Sequence, residues 1–284
     1  MNRVTDQQIV QTVAEHWVLS IRQIKALLFK SAAVARRRLL RTSNQNLTRL
    51  SEGVLTGKHG RPERLVSLGP EAENINVLPA KAMALLSKFP PSVPHQLLEN
   101  WFRIELANQQ ERFPTLTAAY TTTCLADRTE DRHQAQSASR TKPWSRLIPD
   151  GYLTLTSKTY RKSLLFFLEV DLSSEPLASS ANNSIANKIK NYRQMMARKS
   201  YGNYSINAPF TCKGFRVLVL TDTPQRSHQI SRLVKQMPPS DFVWITDQDS
   251  LLSKGVHARI WIRGGHSDAA RESILGNHFK EISQ

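Results

Sequence analysis

The chain has 284 residues, 40% hydrophobic and 22% charged, which is enough for two domains with buried cores and is an ordered globular composition. Its 39 Lys and Arg exceed 23 Asp and Glu, giving a formal charge of +16 and a pI near 10.2. The apolar run Leu164–Leu168 stops at Glu169, well short of the roughly 18 residues of a membrane span; MNRVTDQQ has no apolar signal core; and two cysteines, Cys124 and Cys212, build neither a disulfide framework nor a zinc cage. Secreted, membrane and zinc-finger classes are thereby excluded, and the expected compartment is the reducing cytoplasm. The charge itself concerns partners rather than fold, with polyanions the natural candidates. Nucleic acid comes first. A membrane surface comes second, because no amphipathic anchor helix with a long apolar side accompanies the charge.

Residues 1–75 carry twelve basic and six acidic side chains. Asp6 can cap a first helix with Ile9, Val13 and Trp17 on one stripe. Ser20 and Gln23 have the spacing of a capping box opening a second helix with Ile24, Leu27 and Leu28 inside. Ser31 then opens a third helix, in which Val34, Ala35 and Leu39 can face inward while Arg36, Arg37 and Arg41 point away. A short run, Val54–Thr56, leads through the turn-rich tip GKHGRPER to a return run at Leu65–Leu68, a hairpin with Lys58, His59 and Arg61 at its end. Three short helices and a basic hairpin make a winged helix-turn-helix, whose third helix enters the major groove of double-stranded DNA while the wing follows phosphates. A solvated basic helix beside an incidental hairpin is the plainer alternative.

Pro79, Pro90, Pro91 and Pro94 bracket a short helix, so residues 76–94 are taken as the linker and 95–284 as the second domain. There the pattern predicts a helix over 95–110, a Thr-rich β-prone run over 115–125, a polar loop over 127–142, and strands at 148–156 and 164–171. A helix at about 184–199, a strand at 215–221, a helix at 225–237 and strands at 242–246 and 258–262 follow. That order is α/β with a central mixed sheet.

The most informative stretch is IPDGYLTL followed by LLFFLEVDLS. A turn centred near Thr159–Arg161 pairs positions so that Asp150 lies opposite Val170, flanked by Glu169 and Asp171. Strand alternation puts Glu169 and Asp171 on one face, and Phe166, Leu168 and Val170 on the other. Grouped carboxylates need a cation or raised pKa values, and hard cations such as Mg²⁺ or Mn²⁺ prefer such oxygens. Lys188, beside the stripe Ile185, Ile189, Tyr192 and Met196, can reach that cluster to stabilise a phosphate; its plainer role is snorkelling at the helix edge.

PD, a strand, E-x-D, and a helix with K-x-x-x-Y resemble the core of PD-(D/E)XK nucleases. With the wing RLVSLGPEA, the helix PHQLLENWFRIEL, KIKNYRQM and FRVLVLTDTPQR, the chain resembles the replication-relaxation family of plasmids and other bacterial mobile elements. The resemblance implies a winged helix joined to a nuclease-like domain, with metal held by Asp150, Glu169 and the Val170 carbonyl. Asp171 stands where the nuclease pattern has lysine. Either Lys188 then completes a catalytic set with Asp150, Glu169 and Asp171, or the site binds metal or DNA without cutting. Implied partners are double-stranded DNA and replication, mobilisation or transposition proteins; a homodimer is compatible with both modules.

Overall fold

The computed structural model describes residues 4–53, 63–75, 90–123, 147–179 and 184–276. Contacts divide the chain into two compact units, Met1–Ile104 and Glu105–Gln284. The division falls inside a helix, later than the proline-marked junction, because the first half of that helix is bonded to the N-terminal unit. The 80–88 helix, the Val54–Thr56 run and the 127–142 loop lie outside the described residues.

The first unit runs α1 (Asp6–His16), β1 (Val18–Ser20), α2 (Ile21–Leu28), α3 (Ala32–Asn44), β2 (Thr48–Ser51) and β3 (Leu65–Leu68), with an antiparallel sheet in the order β1-β3-β2. Thr5, not Asp6, caps α1: its hydroxyl accepts from the Gln8 N–H and the Gln8 side chain accepts from the Thr5 N–H. Asp6 is occupied elsewhere, 2.5 Å from Arg38. The Ser20–Gln23 capping box forms as expected, whereas Ser31 opens α3 without a side-chain bond. Ile9, Val13, Ile24, Leu39 and Val66 share one core. α1 stops at His16, and Trp17 takes φ 66, so its stripe ends at Val13. Val34 is 37% exposed rather than inward, because a 3.6-residue period turns Ala35 and Leu39 to the core and leaves Val34 about 100° away.

In α4 (Val93–Arg112), two buried amides weld the first half to this unit. Gln23 Nε2 donates to the Leu97 carbonyl at 2.6 Å, and Asn100 Nδ2 donates to the carbonyls of His16 and Val18 at 3.1 and 2.7 Å. The His16 imidazole is held down to about 3, first by burial and then by Arg103.

The second unit continues with β4 (Leu116–Thr122), β5 (Gly151–Ser157), β6 (Lys162–Asp171), α5 (Ile185–Ala197), β7 (Phe215–Thr221), α6 (Pro224–Lys235), β8 (Val243–Asp247), α7 (Gln248–Lys254), β9 (Trp261–Arg263) and β10 (Arg271–Glu272). The seven-stranded mixed sheet has the order β10-β9-β8-β7-β6-β5-β4. β4, β5 and β6 form an antiparallel meander; β6, β7 and β8 are parallel, joined through α5 and α6; β9 and β10 return antiparallel. Leu165, Phe167, Val217, Val219, Val243 and Ile245 face Ile185, Ile189 and Tyr192 of α5 and Ile230 and Val234 of α6 in one core cluster. The short α7 and β10 carry no clear apolar period and are not predicted from the pattern. Among the described residues no helix is long and apolar enough to cross a membrane.

Candidate functional site

Parallel strands β6 and β7 end at Asp171 and Thr221, and such strand ends are where open α/β sheets place their sites. The β5–β6 hairpin delivers Asp150 there, but in a register one residue away from the expected one. Ser157 pairs with Lys162 around a four-residue turn in which Arg161 has φ 49, so Gly151 lies opposite Leu168. The ladder ends at Gly151, so Asp150 lies just beyond it rather than opposite Val170 within it, near enough to Glu169 for its charge to act on that carboxyl. Gly151 permits the approach of β4, since a Cβ there would lie 2.0 Å from the Tyr120 hydroxyl.

Asp150 is fixed by main chain on both sides. Its N–H donates to the Leu168 carbonyl at 3.0 Å, its carbonyl accepts from the Thr123 N–H, and its Oδ2 accepts from the Val170 N–H at 2.7 Å. The main-chain edge of Val170 is therefore turned toward Asp150.

Glu169 is 3% exposed and gripped from one face of α5. Lys188 Nζ donates to its Oε2 at 3.0 Å, and the Tyr192 hydroxyl donates to its Oε1 at 2.5 Å. Four residues are one helical turn, so K-x-x-x-Y places two donors side by side on a single carboxylate. Burial pushes the Glu169 carboxyl up, Lys188 opposes the shift, and the negative charge of Asp150 reinforces it. For Lys188 burial acts downward, but Glu169, Glu175 and Asp150 outweigh it and hold the ammonium charged. Burial and Glu169 together keep the Tyr192 hydroxyl protonated, as its donor role requires.

Asp171, 1% exposed, shares the face of Glu169 but belongs to a different set of bonds. Arg226 Nε donates to its Oδ2 at 2.8 Å and the Ser173 N–H to its Oδ1 at 2.8 Å. Thr223 caps α6 and Pro224 opens it, which sets Arg226 in the first turn, aimed back at the strand end. Arg226 also reaches the Glu175 carbonyl at 2.5 Å, and the Glu175 carboxylate meets Lys188 Nζ at 2.9 Å. One glutamate in the connection after β6 thus ties both cations together. Sequence reasoning singled out Asp150, Glu169, Asp171 and Lys188 and missed Tyr192 as a donor, Glu175 and Arg226. The signals were present in K-x-x-x-Y and in the Thr-Pro-x-Arg start of a helix.

A hard divalent cation needs several oxygens free to face it. Both Glu169 oxygens already accept from Lys188 and Tyr192, both Asp171 oxygens accept from Arg226 and Ser173, and one Asp150 oxygen accepts from Val170. Among the described residues no group of three or more His, Cys, Asp and Glu side chains is disposed to hold a metal ion. As arranged, the donors do not fit Mg²⁺ or Mn²⁺; the Lys188 ammonium stands where the acids need positive charge.

In the first unit Arg36, Arg37 and Arg41 are all exposed on α3. Arg41 lies 3.6 Å from Asp6, and Arg38 is partly buried against Asp6 and the Val4 carbonyl. Lys58, His59 and Arg61 lie outside the described residues. Residues 10–207 match the model of a protein family described as replication-relaxation. No curated protein and no solved structure matches the chain.

Proposed function

The chain belongs to the replication-relaxation family, and from that premise we propose that it is a DNA-binding protein serving replication or relaxation of a bacterial plasmid or other mobile element. Its first unit acts as a winged helix-turn-helix and its second as a PD-(D/E)XK-like module. The observation that carries the reading is the exposed row Arg36, Arg37 and Arg41 on α3, the helix that follows the short turn after α2. Helix-turn-helix proteins present their second helix to the major groove, and arginines there reach phosphates or guanine edges. Support for the second assignment is the order helix, three antiparallel strands, helix, parallel strand, with the charge of Asp150 acting on Glu169 near the strand end.

In this reading the second unit serves as a binding platform, because Lys188 and Tyr192 already saturate Glu169. Anisotropy on labelled duplex DNA tests the first half. Combined Arg36→Ala, Arg37→Ala and Arg41→Ala should weaken binding and make the salt dependence shallower by about 0.9 for each phosphate that is no longer neutralised. Unchanged affinity at moderate salt would refute the assignment of α3.

Metal-dependent cleavage of DNA is the second reading, favoured by the convergence of Asp150, Glu169 and Lys188. Incubation with supercoiled and branched DNA in Mg²⁺ or Mn²⁺, beside calorimetry with each ion, separates the two. Cleavage abolished by Asp150→Ala or Glu169→Ala would establish the enzyme; no cleavage and no heat of binding would leave the platform.

A further inference from the structure

Between Glu175 and Asp222 the chain contains seven Lys or Arg and no Asp or Glu. Two of the seven are turned inward or against the sheet: Lys188 meets Glu169 and Glu175, and Arg216 stacks over Trp244 at 4.5 Å. Of the others, Arg193 donates to the Pro239 carbonyl and Lys213 lies beyond the helix, and the remaining three follow from how α5 is docked. Ile185, Ile189 and Tyr192 bury one side of the helix in the core, which turns Lys190, Gln194 and Arg198 outward in a line at four-residue spacing. Lys190 and Arg198 are therefore about 12 Å apart along the axis. Lys199 comes directly after, exposed and with φ 54. Glycine is the usual residue at that position past a helix end, because a side chain is disfavoured there.

We propose that this outer face of α5 and its C-terminal turn, with Lys190, Arg198 and Lys199, is a second DNA-backbone contact carried by the C-terminal unit. The inference rests on the DNA-binding reading and extends it from α3 to a separate surface. The side chains are long, cationic and interleaved with a polar Gln194, which suits phosphate oxygens and carries no means of reading base sequence. Contact here is sequence-independent and salt-sensitive.

The full-length protein and a labelled duplex of arbitrary sequence test it by anisotropy over a salt series. Combined Lys190→Ala, Arg198→Ala and Lys199→Gly should lower affinity about tenfold at moderate salt and reduce the salt slope by about two to three. Lys199→Gly alone should keep or raise the melting temperature while weakening binding, a pairing that a purely structural role would not produce. Wild-type affinity and slope in the triple variant, with the α3 arginine variant still impaired, would overturn this contact and leave the α3 reading standing. A wild-type chain that fails to bind duplex DNA at all would overturn both. Loss of binding to anionic lipid vesicles in the triple variant, with DNA affinity unchanged, would reassign the face to a membrane and overturn the proposal.

Discussion

The arginines of α3 and the cations at the β6 end are the same kinds of side chain put to opposite uses. Arg36 and Arg37 stand in water and make no ion pair with another described residue. Lys188 and Arg226 are 20% and 7% exposed, each within 3.0 Å of a buried carboxylate. A solvated charge adds little to stability and keeps its attraction for an outside partner, whereas a buried one is committed to its neighbour. Basic composition therefore contains two populations, and only the first is available for recognition.

The contrast is sharpest where a buried cation is removed. Arg226→Ala should destabilise the second unit by about 3–5 kcal/mol, because Asp171 is left buried without its cation; denaturant unfolding measures it. Lys188→Ala should cost less, about 2 kcal/mol, since the Glu169 carboxyl is already pushed up and can take a proton instead. Equal losses would show that the two carboxylates are alike and would dissolve that distinction. Asn100→Ala, which strands the carbonyls of His16 and Val18, should cost the first unit about 2 kcal/mol.

Acid gives a milder probe. His16 is held neutral, at about 3, while its unfolded counterpart titrates near 6.5. The unfolded chain binds the extra proton between those values, so this contribution is present above about pH 6.5 and is lost as pH falls, at about 1.4 kcal/mol per unit. His257 in the second unit, lowered to about 4 by burial, acts with the same sign. Denaturant midpoints at pH 6 and pH 5 should differ accordingly; a flat profile would mean that these rings are not buried neutral. The smallest effect belongs to Arg36→Ala and Arg37→Ala, within about 0.5 kcal/mol in stability despite their expected weight in DNA binding. Arg38→Ala, one residue on and paired with Asp6, should cost about 1 kcal/mol and thus mark where the solvated population ends.

Local chemistry was readable from residues alone. The Ser20–Gln23 box, the strand Phe215–Thr221 and the common face of Glu169 and Asp171 depend on caps and period, which operate within a few residues. Capping of α1 was not: the pattern points to Asp6, whereas Thr5 is the cap and Asp6 meets Arg38, thirty-two residues away.

The amino-acid sequence by itself determined the α/β order, the basic face of α3, the hairpin carrying Asp150 and Glu169, and the helix bearing Lys188. Tertiary structure decided the register of that hairpin, through the length of the turn at 158–161, and which cation each acid receives. Pairing of that kind depends on where a helix docks on a sheet. Docking is settled by the whole apolar surface buried at once, and no short window of sequence contains that information.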